Sequence, residues 1–342
     1  MSNEDDEKSR CLSEQFRQDL MGGDKKGNKE EGLLFPLTSL VKKDHSLSLE
    51  IRNNYINIYY RGGSLLKLSE VKNKNHTYKP FFEIKYGRNE VEVDTLIKKL
   101  PPQISSRGDF ERWLDNFTRL KSVMDSWFID NPKKEREFQQ MVVWENNNSS
   151  IAGSTDYFII DIEYDNRNGG RFDMVAIQWD SDTTARKLQS KDLPKLCFIE
   201  MKYGDAALGG KSTSNQNKSG IVQHAEQWEK YFLQDEKKKN IKKEMLKLFQ
   251  QKWDLGLIPG LKSDPKRIKS FSNEIDCIFL IANHDPSSRK LKESILELEK
   301  IEIPGVIIKF CASNFMGYGL FKENVFKIDE FQKRYGKQIF NG

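Results

Sequence analysis

The sequence predicts an α/β protein with a mixed central sheet, preceded by a small β-rich domain. Three observations carry this expectation. Short apolar, β-branched runs such as "EIDCIFLIAN" and "PGVIIKFCAS" read as strands buried on both faces. Segments with apolar residues at helical spacing alternate with them. From residue 132 onward the order is helix, strand, strand, strand, helix, strand, helix, strand, the alternation of a layered α/β sandwich.

Residues 1–32 are charged and dotted with glycine. That composition buries too little apolar surface to offset the entropy of ordering. A mobile arm is expected there, with a short helix around Leu12–Leu20. Residues 33–102 are the expected β-rich domain. "LSLEIRNNYINIYYRGGSLLKLSEV" reads as strands broken at Asn53-Asn54 and Gly62-Gly63, "YKPFFEIKYG" as another strand, and Pro101-Pro102 closes the unit. Its aromatics (Tyr55, Tyr59, Tyr60, Phe81, Phe82, Tyr86) are read as core, because strands normally carry alternating aromatics. Stacking on bases is the functional alternative.

Residues 103–342 form the second expected domain, with its core at about 132–312. "DFERWLDNFTRLKSVMDSWFI" has helical spacing through Trp113, Phe117, Leu120, Val123, Met124 and Trp127. Asn131-Pro132 ends that helix, and Pro suits the start of the next. In "KKEREFQQMVVW", Phe138, Met141 and Val142 share a face. "DYFIIDIEYD" and "RFDMVAIQWD" flank the turn signal "NRNGG" and read as a hairpin, with Asp161, Glu163 and Asp165 as exposed acids. A polar loop to Pro194, the strand "KLCFIEMKYG" and a loop rich in Gly, Ser and Asn lead to a helix at about 220–233. In "DEKKKNIKKEMLKLFQQKW", Ile241, Met245, Leu246, Leu248 and Phe249 form an apolar face, and the lysines are read as its solvated side.

Composition narrows the function classes. The four cysteines are scattered and form no C-x-x-C pair, so neither a zinc site nor a disulfide framework is expected. A reduced, cytoplasmic setting follows as an expectation. The polar, acidic start has no apolar h-region, and no run of about 18 apolar residues exists. Neither a signal peptide nor a membrane span is therefore expected. The net charge of +5 is mildly basic and compatible with a polyanionic partner.

The chemistry concentrates between Arg171 and Tyr231. Asp173 lies in "RFDMVAIQW", with Phe172 and Met174 expected on the opposite face. Glu200 and Lys202 lie in "LCFIEMKYG", and side chains two apart share a strand face. Glu-x-Lys also occurs at Glu70, Glu83 and Glu236, but only Glu200 has an upstream strand acid and helices on both sides in sequence. In the following helix Gln223, Gln227 and Tyr231 are spaced i, i+4, i+8, which predicts one stripe. His224 beside them is read as a packing or surface residue. Two carboxylates about 4 Å apart repel by about 4 kcal/mol at an effective dielectric near 20, so buried together they call for a cation. Oxygen ligands favour Mg²⁺ or Mn²⁺.

This set resembles the PD-(D/E)xK nuclease superfamily, most closely its RecB-like branch with a Q-x-x-x-Y element. The resemblance covers roughly 132–312: Asp173 matches the aspartate, Glu200 and Lys202 match (D/E)xK, and Gln227 and Tyr231 match Q-x-x-x-Y. The proline expected before the aspartate is absent, since Phe172 stands there. The resemblance implies a restriction-endonuclease-like α/β/α core and a Mg²⁺-dependent deoxyribonuclease that hydrolyses phosphodiesters with a metal-activated water. It implies Asp173, Glu200, the Met201 carbonyl and a helix glutamate as metal ligands. Glu135 fits that last role best, with Glu137 second. Lys202 would orient or deprotonate the water, or stabilise charge on the phosphate, and Gln227 and Tyr231 would position phosphate or a ligand carboxylate. DNA is favoured over RNA as partner on the resemblance alone. A homodimer, or a protein partner bound through the β-rich domain, suits the organisation. The rival expectation is a binding module or scaffold on the same fold without catalysis.

Overall fold

A computed structural model describes residues 10–23, 30–87, 91–165, 171–181, 193–209, 220–258, 268–284, 289–313 and 325–339. The predicted hairpin turn "NRNGG" and most of the loops at 180–193 and 204–220 lie outside the described residues. The chain divides into two units, one of residues 1–140 with 247–259, the other of 141–246 with 260–342. The first unit runs past Pro101-Pro102 as far as Gln140.

In the first unit the chain runs α1 (Glu14–Leu20), α2 (Phe35–Lys43), β1 (Leu47–Ile51), β2 (Tyr55–Tyr60), β3 (Gly63–Glu70), β4 (Tyr78–Phe81), α3 (Val91–Lys99), α4 (Arg107–Asp115) and α5 (Phe117–Asp130), then the start of α6 (Lys134–Asn147). The strands make an antiparallel sheet in the order β1-β2-β3-β4. At the β2–β3 turn, Arg61 (φ 48°) and Gly62 (φ 71°) both have positive φ, as a two-residue hairpin matching strand twist requires. Alternation then sends Ile56, Ile58, Leu66, Leu68 and Tyr78 into the core. The single helix expected from Asp109 to Ile129 is two, because Asn116 leaves helical geometry and its side chain caps the Arg112 carbonyl at 2.8 Å.

Within residues 10–23 the short helix expected around Leu12–Leu20 is α1 (Glu14–Leu20). Leu12, Phe16 and Leu20 recur every four residues and are buried, and Ser13 caps the helix by accepting from Phe16 N–H. Phe16 packs on Tyr78 at 4.6 Å, and Asp19 accepts from Tyr78 Oη and lies 2.9 Å from His76 Nδ1. Residues 247–259 join the same unit through a buried ion pair, Lys252 Nζ to Glu50 Oε2 at 2.7 Å, while Ser48 Oγ donates to Glu50 Oε1 at 2.6 Å.

In the second unit the chain runs through β5 (Tyr157–Asp165), β6 (Arg171–Gln178), β7 (Lys195–Tyr203), α7 (Ile221–Phe232), α8 (Asp235–Asp254), β8 (Ile275–Ala282), α9 (Arg289–Leu298), β9 (Val306–Ser313), β10 (Phe326–Lys327) and α10 (Ile328–Ile339). Among the described residues the strands form a mixed sheet in the order β10-β9-β8-β7-β6-β5. β7, β8 and β9 are mutually parallel, and the other neighbours are antiparallel. The α/β class and the mixed sheet are as expected. An aromatic layer joins helices to one sheet face: Trp228 of α7 stacks on Phe279 of β8 at 4.4 Å, and Phe331 of α10 on Phe310 of β9 at 5.3 Å. Among the described residues no helix is long and apolar enough to cross a membrane.

Candidate active site

β7 carries the site. Its residues from Leu196 to Lys202 are all buried, since β6 and β8 flank it on either side. Register with β8 sets Glu200 beside Phe279, on the face that α7 covers. Glu200 and Lys202 are therefore charged residues placed under a helix, each less than one-tenth exposed. Lys202 Nζ donates to Glu200 Oε1 at 2.7 Å. The imidazole Nε2 of His224, from α7, lies 3.0 Å from the same oxygen. Burial pushes the Glu200 carboxyl up, but the hydrogen bond from His224 and the charge of Lys202 outweigh it and hold the group below its ordinary range.

The neighbouring strand supplies Asp173. The β6–β7 ladder ends at Met174 opposite Ile199, and one more row would set Asp173 opposite Glu200. There the backbone partner is replaced: Asp173 Oδ2 accepts from the Met201 N–H at 2.8 Å. The N–H and C=O of one strand residue point to the same side, so the Met201 carbonyl also faces the Asp173 edge. This departure from the ladder moves Phe172. Its ring packs 4.5 Å from Phe198 and 5.8 Å from Phe232, on the α7 side rather than the opposite face.

The helix residues part company. His224, Trp228 and Tyr231 face inward, whereas Gln223 and Gln227 are exposed. Steps of four residues turn a helix by 400°, so an i, i+4, i+8 set drifts about 40° per step and leaves the buried stripe. Tyr231 sits in the aromatic layer, 5.8 Å from Phe172, with Lys237 Nζ 5.2 Å from its ring centre. His224, expected to be a packing or surface residue, is instead the helix residue that touches Glu200. Glu135 and Glu137 lie in the first turn of α6, in the first unit. Glu137 is held by Arg61 Nε at 2.5 Å.

Two further acids differ from the hairpin expectation. Asp161 is fully buried, because a bulge between Ile159 and Asp161 reverses the alternation and sets it opposite Val175. Glu163 falls in the row of Asp173, between the pairs Ile162–Met174 and Tyr164–Phe172, and has φ 50°. A positive φ is strained for a non-glycine residue in a strand.

Among the described residues no three His, Cys, Asp or Glu side chains group closely enough to hold a metal by themselves. The oxygen donors on adjacent positions of β6 and β7 are the carboxylates of Asp173 and Glu200 and the Met201 carbonyl. All are hard oxygens, which suits Mg²⁺ or Mn²⁺. Comparison with family models, with curated proteins and with solved structures finds no match.

Proposed function

We propose that the protein is a metal-dependent nuclease that hydrolyses phosphodiester bonds, with DNA as its substrate. The observation that carries this is the placement of Asp173 against the Glu200-Met201-Lys202 edge, with its carboxylate on the Met201 N–H at 2.8 Å. The order α6, β5, β6, β7, α7, β8, with β7 and β8 parallel, supports a restriction-endonuclease-like core. Asp173, Glu200 and the Met201 carbonyl would hold the cation, which supplies Lewis acidity and lowers the pKa of water when bound. Lys202 Nζ, 2.7 Å from Glu200, is placed to hold the attacking water or the charge that builds on phosphate. His224 orients the Glu200 carboxylate from α7, 3.0 Å from the same oxygen. No role falls to Glu135 or Gln227 in this reading, and Tyr231 serves packing.

A second reading, a nucleic-acid-binding module without catalysis, draws on one observation: Lys202 and His224 already occupy Glu200 Oε1. One experiment separates the two. Purified protein is incubated with linear, circular and single-stranded DNA in Mg²⁺, Mn²⁺ or EDTA. Cleavage that needs the metal and falls about a thousandfold or more in Glu200→Ala and Asp173→Ala supports hydrolysis. Binding without cleavage in every condition overturns it.

A further inference from the structure

The small sheet of the first unit has two unlike faces. One carries Ile56, Ile58, Leu66, Leu68 and Tyr78, all buried. The other differs along its width. On β1 its residues Ser48 and Glu50 are buried, with Glu50 tied to Lys252. On β2 to β4 it is open. Register sets Asn57, Lys67 and Phe81 in one row and Tyr55, Ser69 and Lys79 in the next. Phe81 is 47% exposed, Lys79 is exposed, and the other four are half-buried. Lys67 Nζ stands 4.2 Å from the Tyr55 ring centre.

On β2 to β4 these two rows hold two aromatic rings, two ammonium groups, an amide and a hydroxyl; the carboxylate at the β1 end of the first row, Glu50, is buried and paired with Lys252. Aromatic rings on an open sheet face, with lysines beside them, fit unpaired bases over an anionic backbone. Duplex DNA stacks its bases inside and cannot offer them. We infer that this open face binds single-stranded nucleic acid, with Phe81 and Tyr55 stacking bases and Lys67 and Lys79 meeting phosphates. It deepens the proposed function by naming the form of the substrate, and it rests on the nucleic-acid part of that reading rather than on catalysis.

The test is fluorescence anisotropy of the full chain with labelled oligothymidylate of about 20 nucleotides, in EDTA so that no cleavage intervenes. Wild type should bind the single strand at least tenfold more tightly than a duplex of equal length. Phe81→Ala and Tyr55→Ala should each weaken binding about tenfold. The Lys67→Ala/Lys79→Ala pair should reduce the slope of log affinity against log salt by about 1.4. Binding in EDTA involves no cleavage, so failure here and failure of the hydrolytic reading remain distinguishable. Equal unfolding midpoints establish that the variants fold. No binding, equal affinity for duplex, or wild-type affinity in Phe81→Ala would overturn the inference. So would self-association of wild type that Phe81→Ala abolishes, which would assign the face to a second copy.

Discussion

His224 Nε2 lies 3.0 Å from Glu200 Oε1, across the interface between α7 and β7. A histidine reaching a buried carboxylate from a different element fixes that carboxylate's rotamer as well as its charge. Its removal should therefore disturb the proposed cation site without touching the backbone. In His224→Ala, Mn²⁺ affinity measured by calorimetry should fall about 10–100-fold. An unchanged affinity would reduce His224 to a packing residue.

Lys202 is expected to act on the reacting groups rather than on the fold. Lys202→Met keeps the apolar stem and removes the ammonium. Cleavage should fall about a hundredfold or more while Mn²⁺ affinity changes little. Parallel loss of both would mean that Lys202 merely props Glu200.

Glu200 should give the metal-free protein a pH signature. Its folded carboxyl is held below the ordinary value of 4.5, so folding favours the ionised form. That stabilisation is fully present above the ordinary value and is lost as pH falls through the folded one. Glu200→Gln removes the contribution. Urea unfolding in EDTA at pH 7 and pH 4 should show a smaller loss of stability in the variant. Identical losses would contradict the charge assignment.

Gln227 and Tyr231 should separate in their effects. Gln227→Ala alters an exposed position and should move stability by less than about 0.5 kcal/mol, with cleavage unchanged. Tyr231→Ala empties part of the aromatic layer and should cost about 3 kcal/mol, whereas Tyr231→Phe should cleave as wild type does. Cleavage lost in Tyr231→Phe would restore the phosphate-positioning role.

Lys252 should matter to folding. Lys252→Met leaves Glu50 buried without its cation, at a cost of about 3–5 kcal/mol. Adding Glu50→Gln should recover much of that loss in urea unfolding, because the stranded charge is then gone.

Much of the second unit was legible in sequence because continuous apolar, β-branched runs are strong strand signals. Asp173, Glu200 and Lys202 stood out as charges within such runs. What escaped notice did so for physical reasons. The bulge at Ile159–Asp161 adds one residue, which no alternation records, so Asp161 read as exposed. The stripe from Gln223 to Tyr231 looked continuous because four-residue spacing is close to, but not equal to, one helical turn. His224 carries no pattern of its own; only the pairing of α7 with β7 reveals its target. The helix around Leu12–Leu20 was legible, but the packing of Phe16 on Tyr78, a residue of a distant strand, was not.

The ion pair between Glu50 and Lys252 joins residues separated by 202 positions within one unit. During synthesis, the early sheet must wait for more than half the chain before its buried glutamate meets a counter-charge. A fragment ending near residue 140 would lack that lysine and its helix. Such a fragment should aggregate or stay loosely packed, however well its own strands pair.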